Sequence, residues 1–269
     1  MAFELSFDPS IAEIFDECSE IGYLLTMKGW AEASGGNLSV RLAKTIELSD
    51  KEWKRLTPKL RFSLPEAYPH LESQLLVIKA TGKRLRDIAK APSKTLGLGL
   101  VQGRNFHILW PNDDTFRPTS ELTSHLAIQN YLAKNKPNMK AVLHAHPTEL
   151  IVLSFLGEHF LKTLNETLWS VNPGMLIFLP EGLGVVPFKP PSSKELAAET
   201  VRLVANHRVI LWEKHGCLSV GKTLSDCLDM MEISNKSAEI FLKAKYFPGE
   251  INELTREELE EIKSQFNLE

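Results

Sequence analysis

Residues 139–147 read Met-Lys-Ala-Val-Leu-His-Ala-His-Pro, in which His144 and His146 stand two residues apart before Pro147. Side chains at that spacing point the same way in an extended strand, whereas on a helix they diverge by roughly 200°. The residues before the pair, 141–143, are small or apolar, and a proline cannot donate the next ladder hydrogen bond. The pattern therefore predicts a buried strand that delivers two imidazoles together at its end.

A third histidine is needed before this pair predicts a metal site. Taken alone, two histidines on a strand are as often a chance surface pair as zinc ligands, because zinc needs about three or four. The apolar run 209–212 leads to His215, and Gly216 behind it leaves room beside the imidazole. His144, His146 and His215 thus form a candidate three-imidazole set, which leaves a fourth coordination position for substrate.

Composition indicates an ordinary cytoplasmic protein. The 269 residues are 43% hydrophobic, enough for one large domain or two small ones. With 31 basic and 34 acidic residues the net charge is −3, so we expect no nucleic-acid or membrane partner. Three scattered cysteines are too few for a disulfide framework, and no apolar run approaches the roughly 20 residues of a membrane helix. The N-terminus shows no basic segment followed by an apolar one, so we expect no targeting sequence.

Three short polar stretches are candidate ligand-binding segments. Ser34-Gly35-Gly36-Asn37 follows a predicted helix, Thr81-Gly82-Lys83 follows a predicted strand, and Thr119-Ser120-Glu121 precedes a predicted helix. The first two could cradle an anion, and the third offers helix amides beside a carboxylate. Each also has a simpler interpretation: a plain turn, a turn with a solvated lysine, and a glutamate that complements the helix dipole. Without support elsewhere, these simpler interpretations are favoured.

The predictions for other segments concern secondary structure more than function. Residues 43–74 are densely charged and interrupted by prolines, and we expect an excursion from the main sheet. The apolar run Gly174–Leu179 is predicted to be a strand, and Asp226–Phe247 a long amphipathic helix. His125 is predicted to lie on a helix face and not to bind metal.

Six short stretches, which include the polar segments and the histidines, occur in an order that resembles one family. They are Gly29-Trp30, the run 35–42 (Gly-Gly-Asn-Leu-Ser-Val-Arg-Leu), Thr81-Gly82-Lys83, Thr119-Ser120-Glu121-Leu122, His144-Ala145-His146 and the run 211–216 (Leu-Trp-Glu-Lys-His-Gly). The chain resembles the class II aldolase/adducin family from about Ile11 to Phe266. That resemblance implies a single domain over 1–269 with an α/β fold: three layers, α/β/α, around a central, mostly antiparallel sheet. It also implies a homotetramer with active sites at subunit interfaces.

The resemblance implies roles for individual residues. The three histidines would hold one Zn²⁺ per subunit, and Glu121 would be the general base. The substrate phosphate would be surrounded by Gly36, Asn37, Thr81, Gly82, Thr119 and Ser120. One position departs from the family's pattern, because Ser170 stands where a glutamate serves a neighbouring subunit's site as acid or base.

The implied activity is that of a zinc-dependent lyase acting on a small phosphorylated ketose. The expected reaction splits L-rhamnulose 1-phosphate into dihydroxyacetone phosphate and L-lactaldehyde. Alternatives on the same scaffold are cleavage of L-fuculose 1-phosphate and a pentulose-phosphate epimerase or dehydratase, and imidazoles would also suit nickel, cobalt or iron. An alternative of another class is a metal-free interaction module like the adducin head domain, although retention of the three histidines and Glu121 argues against it.

Overall fold

The computed structural model describes residues 9–45 and 60–268, and a nine-stranded sheet lies at the centre of this part of the chain. The strands are β1 Asn37–Thr45, β2 Leu60–Ser63, β3 Gln74–Lys79, β4 Leu96–Gln102, β5 Asn105–Trp110, β6 Ala141–Ala145, β7 Leu183–Val186, β8 Val209–Trp212 and β9 Gly216–Gly221. Their order in the sheet is β2-β5-β4-β3-β1-β6-β9-β8-β7. Among these described strands β7 and β8 run parallel, and every other neighbouring pair is antiparallel. The predicted, mostly antiparallel sheet is confirmed.

Helices cover both faces of the sheet, and the side chains of β3 show why. Leu75 and Val77 join an apolar cluster with the helices Pro9–Met27 and Leu224–Ala244. Leu76 and Ile78 join a second cluster with the helix Leu122–Asn135. Successive strand residues point to opposite faces, so both faces must be apolar to be buried. The helices are α1 Pro9–Met27, α2 Pro92–Thr95, α3 Leu122–Asn135, α4 Thr148–Leu153, α5 Glu158–Val171, α6 Pro173–Phe178, α7 Lys194–Val204, α8 Leu224–Ala244 and α9 Arg256–Phe266. The expected three-layer α/β/α arrangement is confirmed.

The strand predicted from the opening stretch is β6, which lies between β1 and β9. All five of its residues are buried. His144 is paired with Asn37 on β1 and with Leu218 on β9. The sheet therefore places the two-histidine motif directly beside the start of β1, where the Gly-Gly-Asn stretch ends.

One secondary-structure prediction is wrong. The run Gly174–Leu179 is not a strand, because Pro173–Phe178 forms helix α6. The side chain of Asn172 caps this helix by accepting a hydrogen bond from the Gly174 N–H at 3.1 Å, and Pro173 stands in the first turn, where its missing N–H costs nothing. A short apolar run alone does not distinguish a strand from a buried helix.

The remaining segment predictions have mixed outcomes. The long helix predicted over Asp226–Phe247 is confirmed as α8, Leu224–Ala244. For residues 43–74, β1 continues to Thr45 and β2 adds an edge strand, while 46–59 lie outside the described residues. The expected excursion and its place in a single domain therefore stay predictions. Among the helices in 9–45 and 60–268, none combines the length and apolar character that crossing a bilayer requires.

Candidate active site

Three imidazoles meet at one edge of the central strands. His144 belongs to the end of β6, His146 follows it directly, and His215 stands in the turn between β8 and β9. One ring nitrogen from each histidine lies within 4.8 Å of the others. The ring centroids are 4.9 to 5.8 Å apart. The structure therefore brings the three predicted ligands together.

Hydrogen bonds to Nδ1 favour, for two of these rings, the tautomer whose Nε2 can bind a cation. Nδ1 of His144 lies 2.9 Å from the carbonyl oxygen of Cys217, and Nδ1 of His146 lies 2.6 Å from Oε1 of Glu32. Carbonyl and carboxylate oxygens only accept, so each Nδ1 carries a proton, and in the neutral ring the lone pair is on Nε2. Nδ1 of His215 is buried and has no hydrogen-bond partner among the residues described. This donor set fits a divalent cation that prefers imidazole.

Burial favours the neutral, metal-binding form of His144 and His215. Desolvation lowers the pKa of His144 well below its ordinary value, and the positive charges of His146 and His215 would lower it further. Burial is also the main cause of the lowered pKa of His215, with Glu121 acting in the opposite direction. Because an imidazole binds a metal only when neutral, these two ligands need little proton release at neutral pH.

Two glycines give the rings their space. A Cβ on Gly216 would lie 2.7 Å from the carbonyl oxygen of Ala145 and 2.8 Å from ring atoms of both His144 and His146. A Cβ on Gly35 would lie 2.9 Å from Cε1 of His146. The prediction that Gly216 provides room beside the histidines is confirmed.

Glu121 lies next to the cluster as a buried carboxylate, 6% exposed. Its Oε2 accepts a hydrogen bond from Nδ2 of Asn37 at 2.9 Å. Helix α3 begins at Leu122, so Glu121 is the N-cap residue and not part of the first turn as the sequence predicted. Its own backbone N–H donates to Oγ1 of Thr119 at 3.3 Å. The base predicted from the family therefore stands on a fixed backbone beside the histidines.

Backbone contacts and one side-chain hydrogen bond bring the three predicted phosphate-binding segments together. Ala80 and Pro118 form an isolated antiparallel bridge, and the N–H of Thr119 donates to the carbonyl of Lys79 at 2.9 Å. The side chain of Lys79 then donates to the carbonyl of Ser34 at 2.8 Å. These links place near one another the segments Gly36-Asn37, Thr81-Gly82 and Thr119-Ser120. Their role in binding phosphate stays a prediction.

The sequence model of the Class II Aldolase and Adducin N-terminal domain matches residues 16–242. The chain belongs to the class II aldolase and adducin family. Rhamnulose-1-phosphate aldolase of Bacteroides thetaiotaomicron is 35% identical over 97% of this chain and 96% of its own length. The enzyme of that name from Mannheimia succiniciproducens is 30% identical over 91% of each chain.

Solved structures agree with this family membership. The crystal structure of a sugar-phosphate aldolase from Thermotoga maritima has a TM-score of 0.77 and 33% identity, covering 90% of this chain and 99% of that one. An L-fuculose 1-phosphate aldolase has a TM-score of 0.61 at 20% identity over 95% of this chain and 96% of that one, a likeness that shows the fold alone. The protein is therefore a lyase of the class II aldolase type. The family is metal-dependent, and the three-histidine cluster is where this chain could hold the ion.

Two residues of this class II aldolase site were not predicted from the sequence. Lys79 is 2% exposed, and burial lowers the pKa of its ammonium to about 8, with Glu121 partly opposing the shift. The available signal was its position directly after the apolar run 75–78, in the same strand. Glu32, which orients His146, is exposed and stands 114 positions before that histidine in the chain. No local sequence pattern links the two.

Ser170, the position that departs from the family pattern, lies on α5. Its hydroxyl donates to Oε2 of Glu253 at 2.9 Å. Both residues line a surface cleft of about 560 Å³, whose described lining includes Glu166 but none of the three histidines and not Glu121. A carboxylate thus stands beside Ser170, contributed by the segment before α9.

Proposed function

We propose that this class II aldolase cleaves L-rhamnulose 1-phosphate to dihydroxyacetone phosphate and L-lactaldehyde, with one Zn²⁺ per subunit. The observation that carries the proposal is the convergence of His144, His146 and His215 beside the buried carboxylate of Glu121. The substrate is supported by relatives named rhamnulose-1-phosphate aldolase, which are 28–35% identical over most of the chain.

The metal is supported by the donor set. Three neutral imidazoles without a cysteine or carboxylate ligand suit zinc, and they leave one position open. When bound there, a divalent cation polarises the substrate carbonyl and stabilises the negative charge that develops on bond cleavage. The chain's own contribution is to fix the orientation of His144 through the carbonyl of Cys217 and of His146 through Glu32.

Glu121 handles the proton at the carbon next to the carbonyl. As the C4 hydroxyl gives its proton to water and becomes the aldehyde carbonyl of L-lactaldehyde, the electron pair of the C3–C4 bond passes to C3 of the dihydroxyacetone phosphate half, and Glu121 returns a proton there. In the condensation direction it removes that proton. Asn37 holds Oε2, so Oε1 is the oxygen available to carry the proton.

The phosphate serves as a handle remote from the reacting bond. We assign its binding to Gly36, Asn37, Thr81, Gly82, Thr119 and Ser120. Thr81, Gly82 and Ser120 are exposed, and so can meet a ligand that arrives from solvent. Binding energy from this end of the substrate fixes the orientation of the other end.

We also infer a cytoplasmic homotetramer. The family resemblance supports the assembly, and the composition supports the compartment, because the charge balance and the three scattered cysteines favour neither a membrane surface nor disulfide bonding. Analytical ultracentrifugation of the purified protein tests the assembly directly.

A retro-aldol assay on L-rhamnulose 1-phosphate and L-fuculose 1-phosphate, with metal analysis, tests the function. We expect preference for the first substrate, loss of activity with chelator and recovery with zinc. His144→Ala and His215→Ala should lose the metal, whereas Glu121→Ala should keep it and lose most turnover. A metal-free protein that gains no activity with zinc would favour the interaction module, and full cleavage by Glu121→Ala would refute the assigned base.

A further inference from the structure

A buried chain of hydrogen-bonded polar side chains leads from Glu121 into the protein. After Asn37 come His125, Ser39 and Gln129, and these three are at most 1% exposed. Nε2 of His125 is hydrogen-bonded to Oδ1 of Asn37, and Nδ1 lies 2.8 Å from Oγ of Ser39. Nε2 of Gln129 lies 3.1 Å from the same Oγ. Buried polar groups in such a network must match donor to acceptor at every step.

The chemistry of Glu121 fixes the direction of the first two hydrogen bonds. An ionised carboxylate only accepts, so the group of Asn37 that faces it at 2.9 Å must be the amide NH₂. The amide oxygen then faces His125, and Nε2 of that ring must carry a proton to bond with it. One orientation of Asn37 and one tautomer of His125 satisfy both contacts.

The remaining hydrogen bonds of this chain run in the same donor-to-acceptor direction. Burial lowers the pKa of His125 to about 4, so the ring is neutral and its Nδ1 accepts the hydroxyl proton of Ser39. The Ser39 oxygen accepts in turn from the amide of Gln129, which also donates to the carbonyl of Lys140 at 2.9 Å. Each group therefore donates toward Glu121.

We propose that His125 is a positioning residue for Glu121, acting through the side-chain amide of Asn37. This inference rests on the proposed function of Glu121 as the base. His125 lies one helical turn beyond the N-cap residue Glu121, and its backbone N–H donates to the Glu121 carbonyl at 3.0 Å, so both side chains lie on the same side of the start of α3. Without the imidazole N–H, Asn37 can turn its oxygen toward the carboxylate, which would repel it.

Kinetics separate this role from simple core packing. In His125→Phe we expect kcat to fall roughly tenfold to hundredfold, because the hydrogen bond from Asn37 to the charged Glu121 is lost once Asn37 turns, with metal content within about twofold of wild type. His125→Gln keeps an N–H donor and should restore most of kcat. The matched control is His107→Phe, which removes another buried imidazole, on β5, and should leave kcat unchanged.

A double-mutant cycle tests whether His125 acts through Asn37. Against an Asn37→Ala background, His125→Phe should cost no further kcat, because the amide that it positions is already gone. Full additivity of the two losses would overturn the proposal. So would an unchanged kcat in His125→Phe, or a loss in His107→Phe of the same size.

A measurement independent of activity uses ¹⁵N NMR of the histidine side chains in the metal-free protein. We expect the neutral Nε2–H tautomer for His125 at pH 7, with His125→Gln used to assign the signal. An Nδ1–H tautomer or an imidazolium would overturn the proposal. If the wild type cleaves neither ketose phosphate, the proposed function fails, and this spectrum still decides the arrangement around Asn37.

Discussion

Gly216 offers the sharpest test of the histidine cluster, because a side chain at this position would displace the rings of two predicted ligands. In Gly216→Ala the new methyl carbon would lie 2.8 Å from Cε1 of His144 and 2.8 Å from Cδ2 of His146. Carbon atoms in contact prefer about 3.5 Å or more, so each ring must move away by roughly 0.7 Å. The Ala145 carbonyl, 2.7 Å away on the neighbouring strand, blocks escape on that side.

The expected effect on metal binding follows from this displacement. Metal–ligand distances tolerate changes of only about 0.2 Å, so we expect Gly216→Ala to lose roughly 10- to 100-fold in zinc affinity. A 100-fold loss removes about 2.7 kcal/mol of the stabilisation that zinc gives to the native state. Overpacking should cost about 1–3 kcal/mol more, even without metal. Competition titration with a chromogenic chelator measures the first effect, and thermal unfolding with and without zinc measures both.

Gly103→Ala is the matched control. A Cβ there would meet no atom within 4 Å, and the positive φ of +55° makes alanine strained in its own right. We expect this variant to lose stability of about 1 kcal/mol while keeping zinc affinity unchanged. Wild-type zinc affinity in Gly216→Ala would refute the close packing of the rings around position 216.

Two further predictions concern residues that support the site. Glu32→Gln should lower zinc affinity about tenfold, because an amide is a weaker acceptor for the His146 proton than a carboxylate. Chelator titration measures this affinity, and an unchanged value would show that Glu32 does not strengthen metal binding by His146. Lys79→Met should stabilise the protein at pH 7. Burial lowers the pKa of Lys79 to about 8, so keeping this ammonium charged at pH 7 costs the folded protein free energy, which methionine avoids. Between about pH 8 and 10.5 the unfolded chain binds more protons than the folded one, so the stability of the wild type rises with pH there. Relative to the variant, the wild type should gain roughly 3 kcal/mol in free energy of unfolding across that window. Urea denaturation at pH 7 and pH 10 measures this, and an equal difference between the two proteins at both pH values would contradict the prediction.

The sequence was sufficient to predict the three-histidine cluster because each histidine has a local signature. A two-residue spacing at the end of an apolar strand fixes the relative direction of His144 and His146. The third predicted ligand, His215, follows a second apolar strand and precedes Gly216, where a Cβ would collide with the rings of His144 and His146. Roles for Glu121 and the phosphate segments came from family resemblance, since their local patterns equally suit a helix start and ordinary turns.

The parts that could not be predicted depend on contacts between distant segments. His125 and Asn37 are 88 positions apart, and neither carries a sign that the two meet. The apolar run Gly174–Leu179 became a helix because Asn172 caps it, and its composition would have suited either structure. Departures of this kind arise where tertiary structure decides among local options of similar stability.

The pairing of β6 with β9 has a consequence for how a metal is acquired. His144 and Cys217, whose carbonyl holds its ring, are 73 positions apart in the chain. A slip of one position between these strands would turn His144 to the opposite face, away from His215. The three histidines can therefore capture a cation only in chains that have closed this long loop in the native alignment, so occupancy reports correct folding and penalises misaligned alternatives.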